Sequence, residues 1–475
     1  RSGRVTGVQT CALPISKIAN MQDVADIWNY FNHATTQALE SIPKRLPQPT
    51  GQPWITRHLV RLTRKRSRLY IRNRSFPSIK HEEELEALEK LIEKELRKAK
   101  TDYFKNRLTA RMEEGDSKPL YSYLRRHSGR SNTITSLQNT TTTEIPNALA
   151  EHFAAVYNKT DLAIPDLPTK EYAQMKSFKL SKTGLISLLN KIDYRKAEGP
   201  DEIPGKALKE FSLNVPSFVD CVLILLNRSL QTGKCPSVWK RAIVSPIFKG
   251  GDRSCVNNYR PISLTCILCK TLEHIICSKM WDHIEDYGII SPNQHGFRKS
   301  VNTTTQLLHV THHATEALDL KRNYHIISFD FSKAFDRVPH DLLLRKLVMY
   351  KFHPICVDWI RDWLKDRVSV VSANGLVSKE FDVSSGVPQG SVLGPLLFLL
   401  YINDISSEIA HSDCRLYADD TLLSCDITTN PDGLQHDVDR LHEWSCRWGM
   451  LFNSVKCAHM RSEEHTSELQ SPVPI

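Results

Sequence analysis

Two short apolar runs in the C-terminal half of the sequence carry aspartates. Residues 416–423 form two apolar stretches with Asp419 and Asp420 between them, which is typical of two strands joined at a turn. Residues 325–331 form a second β-prone run, and Asp330 lies near its end. The pattern therefore predicts a hairpin with two acids at its turn and a further strand that ends with a third acid.

Longer parts of the sequence have apolar residues at helical spacing. Residues 16–50 show a modest helical pattern followed by prolines, and residues 82–112 carry leucine and isoleucine at spacings typical of an amphipathic helix. The apolar run 391–402 is shorter than the roughly 18 residues of a membrane span. It predicts a buried helix, and we expect no membrane partner. Residues 131–147 and 161–168 predict loops or linkers.

These patterns divide the sequence into regions. Residues 16–130 predict a helical, basic region, 131–177 a linker and helical connector, and 178–460 a domain in which short strands alternate with helices. The two ends, 1–15 and 461–475, resemble translated sequencing-adapter sequence, so we exclude them from the fold prediction. We therefore expect the natural chain to continue beyond both ends.

The cationic excess of the protein is concentrated in one segment. The 475 residues carry a net charge of +10, and residues 57–130 hold 21 Lys/Arg against 11 Asp/Glu. Such a segment is either a solvated helix face or a grip on a phosphate backbone, and its concentration favours contact with nucleic acid. The apolar content of 40% and charged content of 24% are those of a soluble globular protein. The 12 scattered cysteines favour a reduced, intracellular setting over a disulfide framework.

The paired acids require a cation. Two like charges among apolar strands are unfavourable unless a positive ion neutralises them, and carboxylate oxygens suit Mg²⁺. Asp330, together with Asp419 and Asp420, indicates a two-metal centre for phosphoryl transfer, in which one metal activates the attacking oxygen and the other stabilises the leaving one. The alternative for an isolated aspartate is a role in a turn or a helix cap.

Cationic and cysteine-rich segments allow more than one interpretation. Lys249 and Arg260 lie on the predicted facing arms of a hairpin, where they could clamp a triphosphate, although either alone is commonly a surface cation. Residues 294–300 predict the opening of a helix with basic residues near its N-terminus, which suits a phosphate. Residues 264–280 contain three cysteines and a histidine, but their helical pattern favours a structural core over a zinc knuckle.

Three motifs, in order along the chain, resemble one family. Residues 329–340 read FDFSKAFDRVPH, residues 385–395 read SGVPQGSVLGP and residues 417–420 read YADD. Together they resemble the reverse transcriptase of a LINE-type, non-LTR, jockey-like retrotransposon, and the resemblance runs over residues 196–460. It implies an α+β, right-hand polymerase fold of fingers and palm, with an antiparallel palm sheet packed on helices and the thumb missing. The basic N-terminal region resembles the linker of these elements more loosely.

The resemblance assigns metal ligands. Asp330 and Asp419 would bind two Mg²⁺ ions, with Mn²⁺ as an alternative ion. The carbonyl of Phe331 would assist, and Asp420 would support the site. For each of these residues the assignment follows from its position in a matched motif.

The resemblance also assigns residues for the nucleotide. The ring of Phe335 would lie beneath the incoming sugar, where an aromatic side chain can exclude a ribose 2′-hydroxyl. Gln389 and Gly390 would lie along the nucleotide and template, with glycine allowing close backbone approach. Lys249 and Arg260 would neutralise the charge that develops on the triphosphate.

Lys456 is the remaining catalytic assignment. It would match the lysine that protonates the leaving pyrophosphate, a general-acid role. The chain departs from the family at this point, because Ser454 stands where the family usually has proline. For Lys456 alone the alternative is a surface lysine.

The resemblance implies an RNA-directed DNA polymerase, a nucleotidyltransferase that joins a dNTP to the 3′-hydroxyl of a DNA primer on an RNA template. Its setting would be a retrotransposon ribonucleoprotein in the nucleus and cytoplasm. The alternative is a truncated, catalytically silent relic that at most binds nucleic acid. The wording of residues 329–340 disfavours a group II intron or telomerase-like polymerase. Because the thumb is expected to be missing, we expect the chain alone to polymerise weakly or not at all.

Overall fold

The structure is a computed structural model. The described residues are 15–41, 54–75, 77–117, 120–121, 123–124, 134, 137, 140–158, 163–167, 171–194, 196–428, 430–461 and 473–474. Most of the adapter-like ends predicted at 1–15 and 461–475 therefore lie outside the described residues. The chain divides into two units, which consist of residues 1–42 with 134–475 and of residues 43–133.

Helices and short strands alternate along the chain. The α-helices, in chain order, are α1 (Ile15–Asn20), α2 (Val24–Glu40), α3 (Arg57–Ser75), α4 (Ile79–Asp102), α5 (Ala110–Glu113), α6 (Ile145–Ala154), α7 (Lys182–Asn190), α8 (Gly205–Asn214), α9 (Pro216–Thr232), α10 (Ile267–Tyr287), α11 (Thr303–Asp319), α12 (Ala334–Arg337), α13 (His340–Met349), α14 (Pro354–Leu364), α15 (Leu393–Ile402) and α16 (Gly433–Arg447). The strands are β1 (Arg241–Phe248), β2 (Tyr259–Leu264), β3 (Tyr324–Phe329), β4 (Arg367–Ala373), β5 (Leu376–Val377), β6 (Phe381–Val383), β7 (Asp413–Tyr417), β8 (Asp420–Asp426), β9 (Ala458–Arg461) and β10 (Val473–Pro474). The 3₁₀ segments are Ser237–Lys240, Val256–Asn258 and Ile405–Ser407, and a π-helical segment spans Tyr103–Thr109.

One sheet, which we call sheet A, carries the acidic positions. Its strand order is β10-β9-β3-β8-β7, and every neighbouring pair is antiparallel. Strands β7 and β8 form the predicted hairpin, with Tyr417 opposite Asp420 across its turn. Strand β3 is the second predicted strand and pairs with β8, so that Phe329 lies opposite Thr421. Both strand predictions are confirmed, and the two acidic segments meet in one sheet.

The second sheet, sheet B, contains the cationic hairpin. Its strand order is β2-β1-β4-β5, and β6 also pairs with β4. Strands β1 and β2 are antiparallel with Ile247 opposite Arg260, whereas β1 and β4 are parallel. Beyond β1, the Lys249 N–H donates to the Asn258 carbonyl at 2.9 Å. Lys249 and Arg260 therefore lie on facing arms of a hairpin, as predicted.

The most apolar helices are packed inside the large unit. All residues of α15 except Pro395 are buried, which confirms the buried helix predicted at 391–402. The buried Glu273 of α10 accepts hydrogen bonds from the N–H groups of Val392 (2.7 Å) and Leu393 (3.3 Å), which satisfies donors that a helix start leaves free. No single helix among the described residues has the length and composition of a membrane span; α8 and α9 meet that test only as a pair bent by 118°.

Helix α2 also belongs to the large unit. Trp28 packs on Trp239 with ring centroids 5.6 Å apart, and Phe31 packs on Phe218 at 5.5 Å. All four side chains are buried. The predicted region 16–130 groups this helix with the basic segment, and the structure corrects that boundary because the aromatic face of α2 is buried against α9 and the 3₁₀ segment after it.

Helix α6 lies within the predicted connector 131–177 and packs into a hydrophobic core. Its residues Ile145, Leu149 and Phe153 are buried in a second apolar core. That core includes Val244 of β1 and Val371 of β4. The helix therefore covers one face of sheet B instead of spanning open solvent.

The unit of residues 43–133 is built on two long helices, α3 and α4. The helix predicted at 82–112 is confirmed, because α4, the π-helical segment and α5 form a continuous helical run. On α4 the acids pair locally, as in the contacts of Lys90 with Glu86 (2.6 Å) and of Arg97 with Glu93 (2.5 Å). The cations of α3 are exposed, and within the described part of the chain none forms an ion pair; they are Arg57, Arg61, Arg64, Lys65, Arg66, Arg68, Arg72 and Arg74.

Candidate active site

The two adjacent acids lie at a tight turn that a buried amide holds in place. Ala418 has a φ of 55°, a left-handed conformation that is unfavourable for residues other than glycine. Its N–H donates to Gln294 Oε1 at 2.9 Å, and Gln294 Nε2 donates to its carbonyl at 3.4 Å. A Cβ on Gly296 would lie 2.2 Å from Ala418 N, so glycine is needed for this approach. These contacts fix the turn that carries Asp419 and Asp420.

Sequence reasoning misses Gln294 as a part of this site. The helix predicted to open at 294–300 is present, but it begins later, at Thr303, with Asn302 as its N-cap, so residues 294–300 precede it. Gln294 instead forms a parallel bridge with Leu416, and the His295 N–H donates to the Leu416 carbonyl at 2.8 Å. The turn that Gln294 holds is 124 residues further along the chain, so no local pattern could reveal the contact.

The third acid is anchored just beyond the end of β3. The Asn453 N–H donates to the Asp330 carbonyl at 2.7 Å, and the buried ring of Phe331 stacks on Phe452 with centroids 4.5 Å apart. The turn that follows brings Lys456 Nζ to 2.6 Å from Asp330 Oδ2. Lys456, which the resemblance predicts to be catalytic, therefore contacts a predicted metal ligand directly.

Three carboxylates meet at one end of sheet A. The pairing of β3 with β8 places Asp330 and Asp420 at neighbouring strand ends, and Asp419 lies in the turn beside them. Burial raises the pKa of Asp419, and the Asp330 charge raises it further, whereas Lys456 and Arg260 lower it. Burial and then the charges of Asp419 and Asp330 raise the pKa of Asp420. The negative charges are therefore mutually unfavourable until a cation neutralises them.

The donor set at this end of sheet A suits a hard divalent cation. Asp330 and Asp419 offer carboxylate oxygens and Phe331 a carbonyl oxygen, the ligand types preferred by Mg²⁺ and Mn²⁺. The ammonium group of Lys456 already lies against Asp330, which shows that this position accepts positive charge. The residues present therefore fit a divalent metal.

A second group of potential ligands has a structural role. Ligand atoms of His411, His436 and Asp437 lie within 4.8 Å of one another. Asp437 is buried, however, and its oxygens accept the N–H groups of Ala410 (2.9 Å), His411 (2.9 Å) and Ser412 (2.7 Å). This carboxylate ties the segment before β7 to α16, and we assign no metal to it.

Cations surround the acidic end of sheet A. Burial lowers the pKa of Lys249, and the charges of Lys456 and Arg260 lower it further, while Asp330 raises it. Burial and the charge of Lys249 also lower the pKa of Lys333, a residue that sequence reasoning does not single out. The sheet B hairpin therefore brings its cations close to the acids of sheet A. Such a positive field is suited to a polyphosphate.

The residues predicted to contact the nucleotide sugar and template also lie in this unit. The ring of Phe335 stacks on Phe398 of α15 with centroids 4.5 Å apart. Gly390 has a φ of 117°, and a Cβ there would lie 2.7 Å from the Ser263 carbonyl. The Ser263 N–H in turn donates to the Gln389 carbonyl at 2.7 Å. The close approach that Gly390 permits is therefore made to strand β2 of the protein itself.

Known proteins resemble this chain over the segments that build the site. Residues 247–469 match the family model described as reverse transcriptase (RNA-dependent DNA polymerase). The chain is 32% identical over 292 residues to the RNA-directed DNA polymerase from mobile element jockey of Drosophila melanogaster, which covers 59% of this chain and 31% of that protein. It is 33% identical over 271 residues to the probable RNA-directed DNA polymerase from transposon X-element of the same species, with 55% and 29% covered.

The chain spans about a third of the length of the curated relatives it matches. Among solved structures, apo telomerase from Candida tropicalis, truncated from the C-terminal domain, aligns with a TM-score of 0.38 and 12% identity. That alignment covers 50% of this chain and 52% of the telomerase chain.

Proposed function

Because this chain contains a reverse transcriptase domain of the jockey-like, non-LTR kind, we propose that it is an RNA-directed DNA polymerase. It would join a dNTP to the 3′-hydroxyl of a DNA primer on an RNA template. The observation that carries the proposal is the convergence of Asp330, Asp419 and Asp420 at one end of sheet A. In the terms of a right-hand polymerase, sheet A would be the palm and the sheet B hairpin would belong to the fingers.

The acids would hold the metal ions of the reaction. Asp330, Asp419 and the Phe331 carbonyl would bind two Mg²⁺ ions, or Mn²⁺ in their place, with Asp420 supporting them. When bound, such ions supply Lewis acidity that activates a hydroxyl and neutralises phosphate charge. Support comes from the oxygen donor set and from the raised pKa values of Asp419 and Asp420.

The cations and the aromatic side chain would position the nucleotide. Lys249 and Arg260 would bind the triphosphate, Arg260 through its planar guanidinium fork and Lys249 as a point charge, and Lys333 adds to the same field. Phe335 would lie beneath the sugar, and Gln389 beside the nucleotide. The stacking of Phe335 on a buried helix supports this role, because a rigid ring excludes a 2′-hydroxyl better than a mobile one.

The chemical step is an in-line displacement. The primer 3′-hydroxyl loses its proton to solvent and attacks the α-phosphorus of the dNTP, and the new phosphodiester bond forms as the bond to pyrophosphate breaks. Lys456 would give a proton to the leaving pyrophosphate. Its position against Asp330 supports this role, since Nζ lies at the edge of the acidic site.

The nucleic acid would be held through its backbone. The cations of α3 are exposed and form no ion pair with any residue that the structure describes, which supports contact with phosphates, a sequence-independent interaction. We propose that the RNA template is the main ligand of this surface. As part of a retrotransposon ribonucleoprotein, the chain would act in the nucleus and cytoplasm.

Primer extension with the chain in excess over primer and RNA template tests the proposal, because an enzyme excess detects slow addition. We expect addition to require Mg²⁺, and we expect Asp330→Asn and Asp419→Asn to slow it by about 10³-fold, as the loss of several kcal/mol of charge stabilisation predicts. Asp426→Asn is the matched control, since Asp426 lies at the other end of β8 and contacts Arg322.

The possible outcomes separate the assignments. Wild-type rates in Asp419→Asn would show that the metal ligands are wrong. If the wild-type chain extends no primer at any Mg²⁺ concentration even in enzyme excess, this chain is the catalytically silent relic, which at most binds nucleic acid, and the proposal that it polymerises fails.

A further inference from the structure

The side chain of Gln389 is tied to a buried acid. Its Nε2 lies 3.1 Å from Oδ1 and 3.0 Å from Oδ2 of Asp336. Asp336 is only 9% exposed and directly follows Phe335 in the chain. A nucleotide-binding amide is therefore fixed from behind by a carboxylate that is itself shielded from solvent.

The chemistry of this pair sets the direction of the amide. An ionised carboxylate only accepts hydrogen bonds, so Gln389 must turn its NH₂ group towards Asp336. Its Oε1 then points away, and no residue that the structure describes donates a hydrogen bond to it. We propose that Asp336 is a positioning residue that presents Gln389 Oε1 as a fixed hydrogen-bond acceptor to the incoming nucleotide. This inference rests on the proposed function, in which Gln389 lies beside the nucleotide.

Backbone contacts keep the two partners in register. The Val387 N–H donates to the Phe335 carbonyl at 2.7 Å, and Ser385 Oγ donates to the Asp336 carbonyl at 2.8 Å. A Cβ on Gly386 would lie 2.6 Å from the backbone of Asp336, so only glycine allows this approach. The turn that carries the Phe335 ring and the loop that carries Gln389 therefore behave as one rigid assembly.

The surroundings of Asp336 influence whether its carboxyl group is protonated. Burial raises the pKa of Asp336 to about 6, while the Gln389 hydrogen bond and Lys333 lower it. Tyr157 and Arg367 line the same narrow cavity as Asp336. Arg367 is buried, and its Nη2 has no hydrogen-bond partner within the described part of the chain. At neutral pH the carboxylate is therefore ionised, which is the form that fixes the amide.

A cycle of three variants tests the inference: Asp336→Asn, Gln389→Glu and the double variant. In Asp336→Asn the side-chain amide of Gln389 is no longer held in one orientation. We therefore expect KM for the dNTP to rise about 10-fold, as for the loss of a hydrogen bond to a charged group. We expect kcat to change by less than about 3-fold, because the lost contact is made equally in ground and transition states. Gln389→Glu opposes two carboxylates and should raise KM further.

The double variant provides the rescue. The amide introduced at position 336 can donate a hydrogen bond to the carboxylate introduced at position 389. The other oxygen of that carboxylate then points outward as an acceptor, so KM for the dNTP should return to within about 3-fold of wild type. Asp341→Asn is the matched control, because Asp341 is an exposed acid on α13, and it should leave KM unchanged.

Each result decides between the two proposals. An unchanged KM in Asp336→Asn, or a double variant no better than Gln389→Glu, would overturn the positioning role. A wild-type chain that adds no nucleotide overturns the proposed function instead. If a single variant is folded but adds too little nucleotide for KM to be measured, the coupling between the two positions in urea unfolding decides, and additive effects would overturn the contact.

Discussion

At the turn between β7 and β8, Asp419 is held where its negative charge is unfavourable. Burial raises its pKa above the ordinary value of 3.8, and the Asp330 charge adds to the effect. The unfolded chain has no such penalty, so ionisation of Asp419 destabilises the folded, metal-free protein. The penalty is absent at a pH below 3.8 and is complete above the raised folded-state pKa.

Asp419→Asn should therefore stabilise the metal-free protein while it removes activity. We expect its free energy of unfolding, measured with urea in the presence of EDTA, to exceed that of wild type at pH 7. The difference should vanish near pH 3, where the carboxyl is neutral in both states. If Asp419→Asn is less stable than wild type at pH 7, burial and repulsion by Asp330 do not destabilise the folded protein through Asp419.

Individual residues of the site differ in how far the sequence reveals them. Asp419 and Asp420 are recognisable in the sequence because they lie between two apolar strands. Asp330 is recognisable because it follows a third apolar strand. Gln294 and Asp336 have no such local signal, because their roles depend on partners 124 and 53 residues away. Periodicity shows that a side chain is buried or exposed, but it does not show which group it will contact.

At the scale of elements, a buried lysine joins three helical segments. Lys346 of α13 is fully buried, and its Nζ lies 2.6 Å from Asp404 Oδ1 and 3.5 Å from the centre of the Trp448 ring. The same ammonium donates to the Tyr401 carbonyl at the end of α15. Trp444 Nε1 of α16 also donates to Asp404, at 3.3 Å. These contacts connect α13, α15 and α16.

Lys346→Met should lower the free energy of unfolding by roughly 3 to 5 kcal/mol, because it leaves Asp404 as a buried charge without its partner. Urea unfolding measures the effect. The double variant Lys346→Met with Asp404→Asn should recover part of the loss, since neither charge then remains. Lys365→Met, at an exposed lysine after α14, is the control. Equal losses in the control and in Lys346→Met would show that the contacts of Lys346 do not stabilise the fold.

Whole elements follow from the sequence where their signal is local. The β7–β8 hairpin, β3 and α15 are predicted correctly, because alternation and continuous apolar runs are properties of the segment itself. The boundary of region 16–130 is not predicted correctly, because α2 packs Phe31 against α9 and Trp28 against the 3₁₀ segment Ser237–Lys240. An amphipathic pattern identifies the apolar face of a helix and leaves its partner unspecified.

At the scale of the whole molecule, charge is distributed unevenly between the elements. The net charge is +10, and the helix α3 contributes eight exposed Lys/Arg without an acid of its own. Helix α4 carries six Lys/Arg but pairs some of them with its glutamates. The contrast provides a matched comparison for the proposed contact with nucleic acid.

Replacing Arg64, Arg66 and Arg68 by Gln should weaken RNA binding equally for RNAs of unrelated sequence. The slope of log affinity against log salt should fall by roughly 2 if all three contact phosphates. Fluorescence anisotropy at several salt concentrations measures both quantities. The control replaces Lys90, Lys94 and Lys98 of α4 by Gln, the same change in net charge. Equal losses in the two variants would mean that net charge, and not the α3 surface, governs binding.

We propose that an RNA strand directs DNA synthesis at the acidic end of sheet A. Single-nucleotide addition tests it most directly, with four RNA templates that differ only at the base after the primer and with each dNTP offered alone. We predict that the dNTP added changes with the template base, that addition needs Mg²⁺, and that Asp419→Asn slows addition by about 10³-fold. Addition that ignores the template base, or that continues at the wild-type rate in Asp419→Asn, would contradict the claim.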